Sequence, residues 1–346
     1  MSSGALARRL ERLWYSDSAL ALLLLPFAAL FAVAAGLRRA LYSRGWLHST
    51  RVGVPVIVVG NITVGGAGKT PLVAWLAGRL LADGRRPGIV SRGYGGAGQR
   101  EPVAVTTDSR AEEVGDEPVL LARRTRVPVV VCPERVRAAR MLVAAGVDVI
   151  IADDGLQHYA LARDLEVIVV DGDRRLGNGH LLPAGPLRES ARRLQGAPLV
   201  VLNAGVRACG DHELVFRLKA GDALALNRRE RRALQVFSGE KAWAVAGIGN
   251  PERFYAQLRA CGIVPVPVAV PDHGRVDLTR LREQADWPIL MTEKDAVKYS
   301  GYRDVAAWYL PVEVEMPQTV EEAIMHRVRG ALPAAVPAQG NGDGGA

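Results

Sequence analysis

Gly60-Asn61-Ile62-Thr63-Val64-Gly65-Gly66-Ala67-Gly68-Lys69-Thr70 holds the residues with the most chemistry in this chain. Glycines let successive backbone N–H groups turn toward one anion, and a following helix adds its partial positive charge. Lys69 is spaced to reach β- and γ-phosphates, and the Thr70 hydroxyl to ligate Mg²⁺. Gly65, Gly66, Ala67, Gly68, Lys69 and Thr70 are therefore the expected nucleotide cradle, which implies binding of a nucleoside triphosphate with Mg²⁺. The strict pattern wants glycine at 63, where threonine stands.

Carboxylates supply the second set. Asp153-Asp154 follows directly on the apolar run Val147–Ala152. Acids at the end of a strand beside the phosphate strand commonly hold Mg²⁺ or its waters. A helix N-cap is the competing structural role for one of them. Gly115-Asp116-Glu117-Pro118 is another acidic pair, equally readable as a solvated turn. Taken singly, His273 in Pro271-Asp272-His273, Glu189 in Leu187-Arg188-Glu189 and the run Thr292-Glu293-Lys294-Asp295 decide nothing.

These residues need strands and helices in alternation to bring them together. Val54–Val59 is read as the first strand and Leu72–Leu81 as the helix after it, with Pro71 suited to the first turn. Val127–Val131, Val147–Ala152, Val167–Val170 and Leu199–Leu202 have the short apolar form of buried parallel strands, with Arg135–Ala145 helical between two of them. The pattern is α/β: a doubly wound, P-loop NTPase-like sheet. Around Leu214–Ala233 the chain turns polar and basic, a hinge. A second, smaller α/β unit follows, with strands at Ala242–Ala246, Val264–Val270 and Ile289–Met291 and a helix at Pro251–Cys261. The expected division is an N-terminal apolar helix in 1–45, a phosphate-loop core in 46–220, a smaller unit closing over the site in 221–330, and a disordered Ala/Pro/Gly tail in 331–346.

Ala19 to Leu37 is uncharged and almost wholly apolar, with Arg8, Arg9 and Arg12 before it and Arg38, Arg39 and Arg44 after. As a helix it reaches about 28 Å, close to the bilayer core. Its length and charged exit argue against a cleaved signal peptide, and the lack of a polar face against a soluble core helix. A span and an interfacial helix both fit, because arginines on both flanks fix no orientation. The expected partner is the membrane surface. The net charge of +8 is scattered, and aromatics make up only 5%, so no stacking platform for nucleic acid stands out. Cys132, Cys209 and Cys261 form neither a zinc spacing nor a disulfide framework, in keeping with a reducing compartment.

Taken in order, the motifs resemble the tetraacyldisaccharide 4'-kinases, the lipid A 4'-kinases of Gram-negative bacteria. The resemblance rests on residues 60–71, Ser91-Arg92-Gly93-Tyr94-Gly95, Gly115-Asp116-Glu117-Pro118, Asp153-Asp154-Gly155-Leu156-Gln157-His158, Gly185-Pro186-Leu187-Arg188-Glu189, Pro271-Asp272-His273 and Thr292-Glu293-Lys294-Asp295-Ala296-Val297-Lys298. Thr63 is then a family variant, while Leu156, Gly274 and Ser190 depart from residues common in the family. The resemblance implies transfer of the ATP γ-phosphate to the 4'-hydroxyl of an acylated disaccharide 1-phosphate, by a monomer on the cytoplasmic face of the inner membrane. It implies Asp116 as base with His273 orienting it, and Lys69 on the phosphates. Thr70, Glu189 and one or both of Asp153 and Asp154 would hold Mg²⁺. Arg92, Tyr94, Glu117, Arg135, Asp153, Asp154, Gln157 and His158 would meet the sugar and its 1-phosphate, and residues 292–295 would sit near the nucleotide base. A nucleotide-driven switch or metal-delivery ATPase is the alternative, since it uses a similar loop.

Overall fold

The computed structural model describes residues 10–16, 19–98, 100–204, 213–227, 230–270, 274–299 and 306–333. Strands β1 (Val56–Gly60), β2 (Pro87–Ser91), β3 (Val103–Val105), β4 (Val129–Val131), β5 (Val149–Asp153), β6 (Leu165–Asp171), β7 (Leu199–Asn203) and β8 (Leu214–Ala220) share one sheet with β15 (Val312–Glu315). Its order is β15-β8-β7-β6-β1-β5-β2-β4-β3, with only the edge pairs β3–β4 and β15–β8 antiparallel. This is the doubly wound arrangement that the alternating pattern predicts. Successive side chains of a strand face opposite ways, so β1 feeds two cores. Ile57 and Val59 join the helices Lys69–Ala82 and Asp116–Thr125 on one face, while Val56 and Val58 join the helix Arg135–Ala144 on the other. Every residue of β1 is buried, as a strand covered on both faces must be.

A second sheet runs β10-β9-β14-β13-β11-β12. It comprises β9 (Ala223–Ala225), β10 (Arg231–Arg232), β11 (Lys241–Val245), β12 (Val264–Val268), β13 (Ile289–Thr292) and β14 (Ala307–Leu310). Strands β11 to β14 pair in parallel, and the helix Pro251–Ala260 packs with them through Phe254, Tyr255 and Leu258. The polar stretch expected as a hinge is mostly strand. β8 stays in the large sheet to Ala220 and β9 opens the small one at Ala223, so the crossing shortens to Gly221-Asp222. Gly221 N donates to Pro311 O at 2.8 Å, tying this crossing to the chain's way back.

That return divides the stretch expected as one unit over 221–330. β15 joins the large sheet, and the helix Gln318–Gly330 buries Ile324, Met325 and Val328 in the core of Leu72, Leu76 and Leu121. The sequence hides this because β15 has a strand's alternation at a solvated edge (Val312 and Val314 inward, Glu313 and Glu315 exposed), which does not tell one sheet from another. The tail expected from 331 lies outside the described residues from 334 on. Ala331 and Leu332 pack against the same core.

The apolar N-terminal segment is a 3-10 turn, Ala19–Leu24, continued by the 19-residue helix Leu25–Ser43. Leu23 and Leu30 are about 70% exposed, and Phe27, Val33 and Leu37 stand out with them. Ahead of it Trp14 is buried, its Nε1 donating to Pro183 O at 2.9 Å.

Because the terminal helix completes the large sheet's core, Ile324→Ala is expected to cost about 2–4 kcal/mol of stability in urea unfolding. An unchanged midpoint would mean that the helix is an appendage.

Candidate active site

The loop after β1 is built on a short ladder. Val64 N donates to Pro186 O at 2.8 Å and Arg188 N to Ile62 O at 2.7 Å, with Thr63 bridged antiparallel to Leu187. Position 63 is therefore extended and buried, and a β-branched residue suits it better than glycine. Farther on, Gly65 and Gly68 have φ of 110° and 89°, the left-handed region where a side chain strains the backbone. Asn203, at the end of β7, supports the loop from below by donating to Ala67 O at 3.2 Å. The helix Lys69–Ala82 then starts with no side-chain cap, and Thr70 lies in its first turn. From the small sheet, Gly249 closes on the loop: a Cβ there would lie 2.6 Å from Gly66 N.

Lys69 Nζ donates to Asn61 Oδ1 at 3.0 Å and stands 3.4 Å from Asp154 Oδ1. Arg188 forks onto both Asp154 oxygens at 3.2 and 3.3 Å, and also reaches Asn61 Oδ1 and Thr63 O. Burial would raise the Asp154 carboxyl, but Lys69 and Arg188 outweigh it and hold it well below the usual range. Asp154 has φ 47°, and Arg135 donates to its carbonyl at 2.8 Å, a fixed but strained backbone. Asp153 is the opposite case. It ends β5, is fully buried, and among the described residues neither carboxylate oxygen has a hydrogen-bond partner. Burial and then the charges of Glu117 and Asp154 push it up to about 7.

Gln157 and His158 follow on the same loop. Gln157 Nε2 donates to Asn61 O at 3.2 Å and to Glu189 Oε1 at 2.8 Å. Glu189 is itself buried, and its Oε2 accepts from Tyr159 at 3.0 Å, with Arg193 at 3.4 Å. Both Glu189 oxygens thus face inward partners, behind Gln157. His158 is pulled down to about 4, by burial and then by Arg135, Arg163, Arg38 and Arg92, so its ring is neutral at pH 7. Arg92 and exposed Tyr94 lie beyond the end of β2, with Arg92 near enough to Arg135 to repel it.

The pair Asp116-Glu117 is no solvated turn. Gly115, at φ 93°, turns the chain so that Asp116 opens the helix Asp116–Thr125 and is buried. Glu117 feels the charges of Lys69 and Asp154, which sets this pair beside the nucleotide loop. Lys294 donates to Glu117 at 2.9 Å, Arg124 pairs with Glu293 at 3.2 Å, and Lys298 lies 3.5 Å from Asp116. Residues 292–298 therefore dock on the helix that carries the acidic pair. Thr292 caps a short turn whose cations face those acids. His273 lies outside the described residues.

Asn61, Arg188, Tyr159 and Lys298 escape the sequence reading as separate actors. Arg188 stands inside a quoted motif beside Glu189, which is a signal of proximity but not of its fork onto Asp154. Lys298 ends the quoted run 292–298, but nothing in that run signals its contact with Asp116.

A model of the family LpxK, tetraacyldisaccharide-1-P 4'-kinase, matches residues 20–329. The chain belongs to this family. The tetraacyldisaccharide 4'-kinase of Aeromonas hydrophila is 48% identical over 322 residues, 92% of this chain and 96% of that one. The one from Alkalilimnicola ehrlichii is 50% identical over 304 residues, covering 86% and 90%. The crystal structure of LpxK from Aquifex aeolicus in complex with ATP superposes with a TM-score of 0.74 at 30% identity, covering 91% of this chain and all of that one. Membership makes the chain a kinase of lipid A biosynthesis, and a switch or metal-delivery ATPase is not favoured.

The raised Asp153 carboxyl has a consequence for stability in the nucleotide-free protein. Between about pH 4 and about 7 the folded state keeps a proton that the unfolded state has lost, so stability falls as pH rises. Asp153→Asn is accordingly expected to raise Tm at pH 8 and to leave it nearly unchanged at pH 4. An equal shift at both pH values would contradict the raised value.

Proposed function

We propose that the chain transfers the γ-phosphate of MgATP to the 4'-hydroxyl of an acylated glucosamine disaccharide 1-phosphate at the cytoplasmic surface of the inner membrane. The observation that carries this is the convergence of Lys69 with two acidic pairs of unlike environment, Asp153-Asp154 and Asp116-Glu117. Asp116 takes the hydroxyl proton as the sugar oxygen bonds to the γ-phosphorus. The bond from that phosphorus to the β–γ bridging oxygen breaks, and ADP leaves. Lys69 and the loop amides balance charge on the transferring group. His273 orients Asp116 in this reading. Arg92, Tyr94, Arg135, Gln157 and neutral His158 meet the sugar and its 1-phosphate, where arginine forks suit phosphate.

The donor set fits Mg²⁺. Neither buried oxygen of Asp153 has a hydrogen-bond partner among the described residues, which leaves both available to a cation. Among the described residues no three acids or histidines converge as an all-protein cage. Magnesium is ordinarily held by one or two carboxylates plus substrate phosphates. Asp153, with Thr70 and Asp154, would hold it, and Glu189 would act through Gln157. Bound there, the ion would neutralise phosphate charge.

The lipid acceptor calls for membrane contact. The exposed leucines of Ala19–Ser43 and the arginines at its end suit insertion with headgroup pairing. Arg38 at that end donates to Gln157 O at 3.2 Å, which joins the helix to the sugar-side loop.

The decisive assay supplies γ-labelled ATP and the tetraacylated disaccharide 1-phosphate to the full-length protein. Labelled lipid is expected, falling by about 10²-fold or more in Lys69→Ala and in Asp116→Asn. Phosphate release without labelled lipid would favour a nucleotide switch instead. A triple change, Leu23→Glu with Phe27→Glu and Leu30→Glu, is expected to abolish co-sedimentation with anionic vesicles while ATP binding persists. Undiminished vesicle binding would take the helix out of the reading.

A further inference from the structure

Lys298 is 2% exposed and lies between two acids that are as deeply buried, one from each sheet. Its Nζ is 2.9 Å from Asp295 Oδ1 and 3.5 Å from Asp116 Oδ2. We infer that Lys298 is a positioning residue, contributed by the small sheet, that sets the Asp116 carboxylate for proton removal. The inference rests on the reading of Asp116 as the base.

Burying an ammonium is costly unless its charge is matched and its geometry fixed. Here both are provided. Asp295 is held in place by Gly247 N at 2.8 Å and by the Thr292 hydroxyl at 2.6 Å, both donating to Oδ2. Oδ1 is thereby turned to Lys298. The room for this pair comes from bare backbone: a Cβ on Gly247 would lie 2.7 Å from Asp295 Oδ1 and 3.4 Å from Lys298 Nζ. Around the trio the other charges are matched by Glu117 with Lys294, Arg124 with Glu293 and Arg275 with Glu112. Among the described residues the lysine therefore pairs with Asp295 from its own sheet and with Asp116 from the other.

The chemical use follows from the carboxylate's shape. An ammonium against Oδ2 fixes the rotation of the Asp116 carboxylate about its own axis, so the oxygen that accepts the hydroxyl proton is held in one place. Positioning of this kind changes the rate at saturating substrate and leaves nucleotide affinity alone. It also makes the base dependent on contact between the sheets, since Lys298 and Asp295 come with the small sheet and Asp116 with the large one.

The test is a double-mutant cycle on the full chain in detergent micelles, read by single-turnover transfer from γ-labelled ATP. Lys298→Met is expected to lower kcat on the order of 10- to 100-fold with KM for ATP changed less than about two-fold, and Lys298→Arg to regain most of the rate. In the Asp116→Asn background the same Lys298→Met change is expected to cost less than about two-fold, because the group it positions is gone. A Lys298→Met protein with full kcat beside an inactive Asp116→Asn overturns the inference and leaves the base reading standing. So does a loss that persists undiminished in the Asp116→Asn background. Full turnover in Asp116→Asn alone defeats the base reading itself. Thermal melting and binding of a fluorescent ATP analogue verify folding. If Lys298→Met does not fold, Lys298→Gln, which can donate to Asp295 without charge, goes through the same cycle.

Discussion

Everything near the nucleotide loop is arranged around a crowding of negative charge. Asp153 ends one strand of the large sheet with Asp154 just past it, and Asp116 and Glu117 open a helix close by. Left uncompensated, this many carboxylates in a partly dry cleft would repel one another and protonate. The fold answers with cations brought from distant parts of the chain. Lys69 arrives with the phosphate loop, Arg188 with the ladder that braces it, Arg135 with the next helix, and Lys294 and Lys298 with the small sheet. Among the described residues, Asp153 alone of the four is given no hydrogen-bonding partner for either buried oxygen. The compensation is thus incomplete at one point, and that point is where the proposed reaction brings Mg²⁺.

The same economy shapes the lipid side. Tyr159 has Arg38 and Arg163 over its ring at 5.8 and 5.3 Å, with Tyr42 beside it at 5.7 Å. Its hydroxyl donates to Glu189, which also accepts from Gln157, and Gln157 in turn reaches the carbonyl of Asn61 at the root of the phosphate loop. An unbroken run of contacts therefore links the end of the apolar helix to the nucleotide cradle. A helix that only tethered the protein would need no such joint. On the proposed reading, the joint holds the sugar-facing loop at a fixed height relative to the membrane surface.

How much of this the chain discloses depends on the range of the signal. The phosphate loop is legible because strand, glycines and helix are contiguous, and local sterics alone demand that order. The strand runs of the large sheet are legible because burial on both faces forces continuous apolar stretches. The exit of β15 and the last helix from the small sheet back to the large one is not. Alternation in Val312–Glu315 marks an edge strand without naming its partner. Asp116 and Glu117 look like a surface turn for a related reason: Asp116 is buried and Glu117 half-buried against cations about 180 residues away. Lys298 follows an apolar valine and precedes a buried tyrosine, so nothing local separates it from a solvated lysine.

These long-range pairs also explain why a kinase for a lipid hydroxyl should use two sheets rather than one. Phosphate loops handle ATP with local backbone groups, and the large sheet supplies those unaided. The acceptor side has a different need: a base that works on the sugar and spares water. If Asp116 is that base, as proposed, burying it under a second sheet excludes water, but a buried carboxylate needs a cation, and the covering sheet is the natural source of it. Lys298 meets that need from residues the phosphate loop does not use. Cover and counter-charge then come as one body, so on the proposed reading the acceptor half of the site is complete only where the two sheets meet.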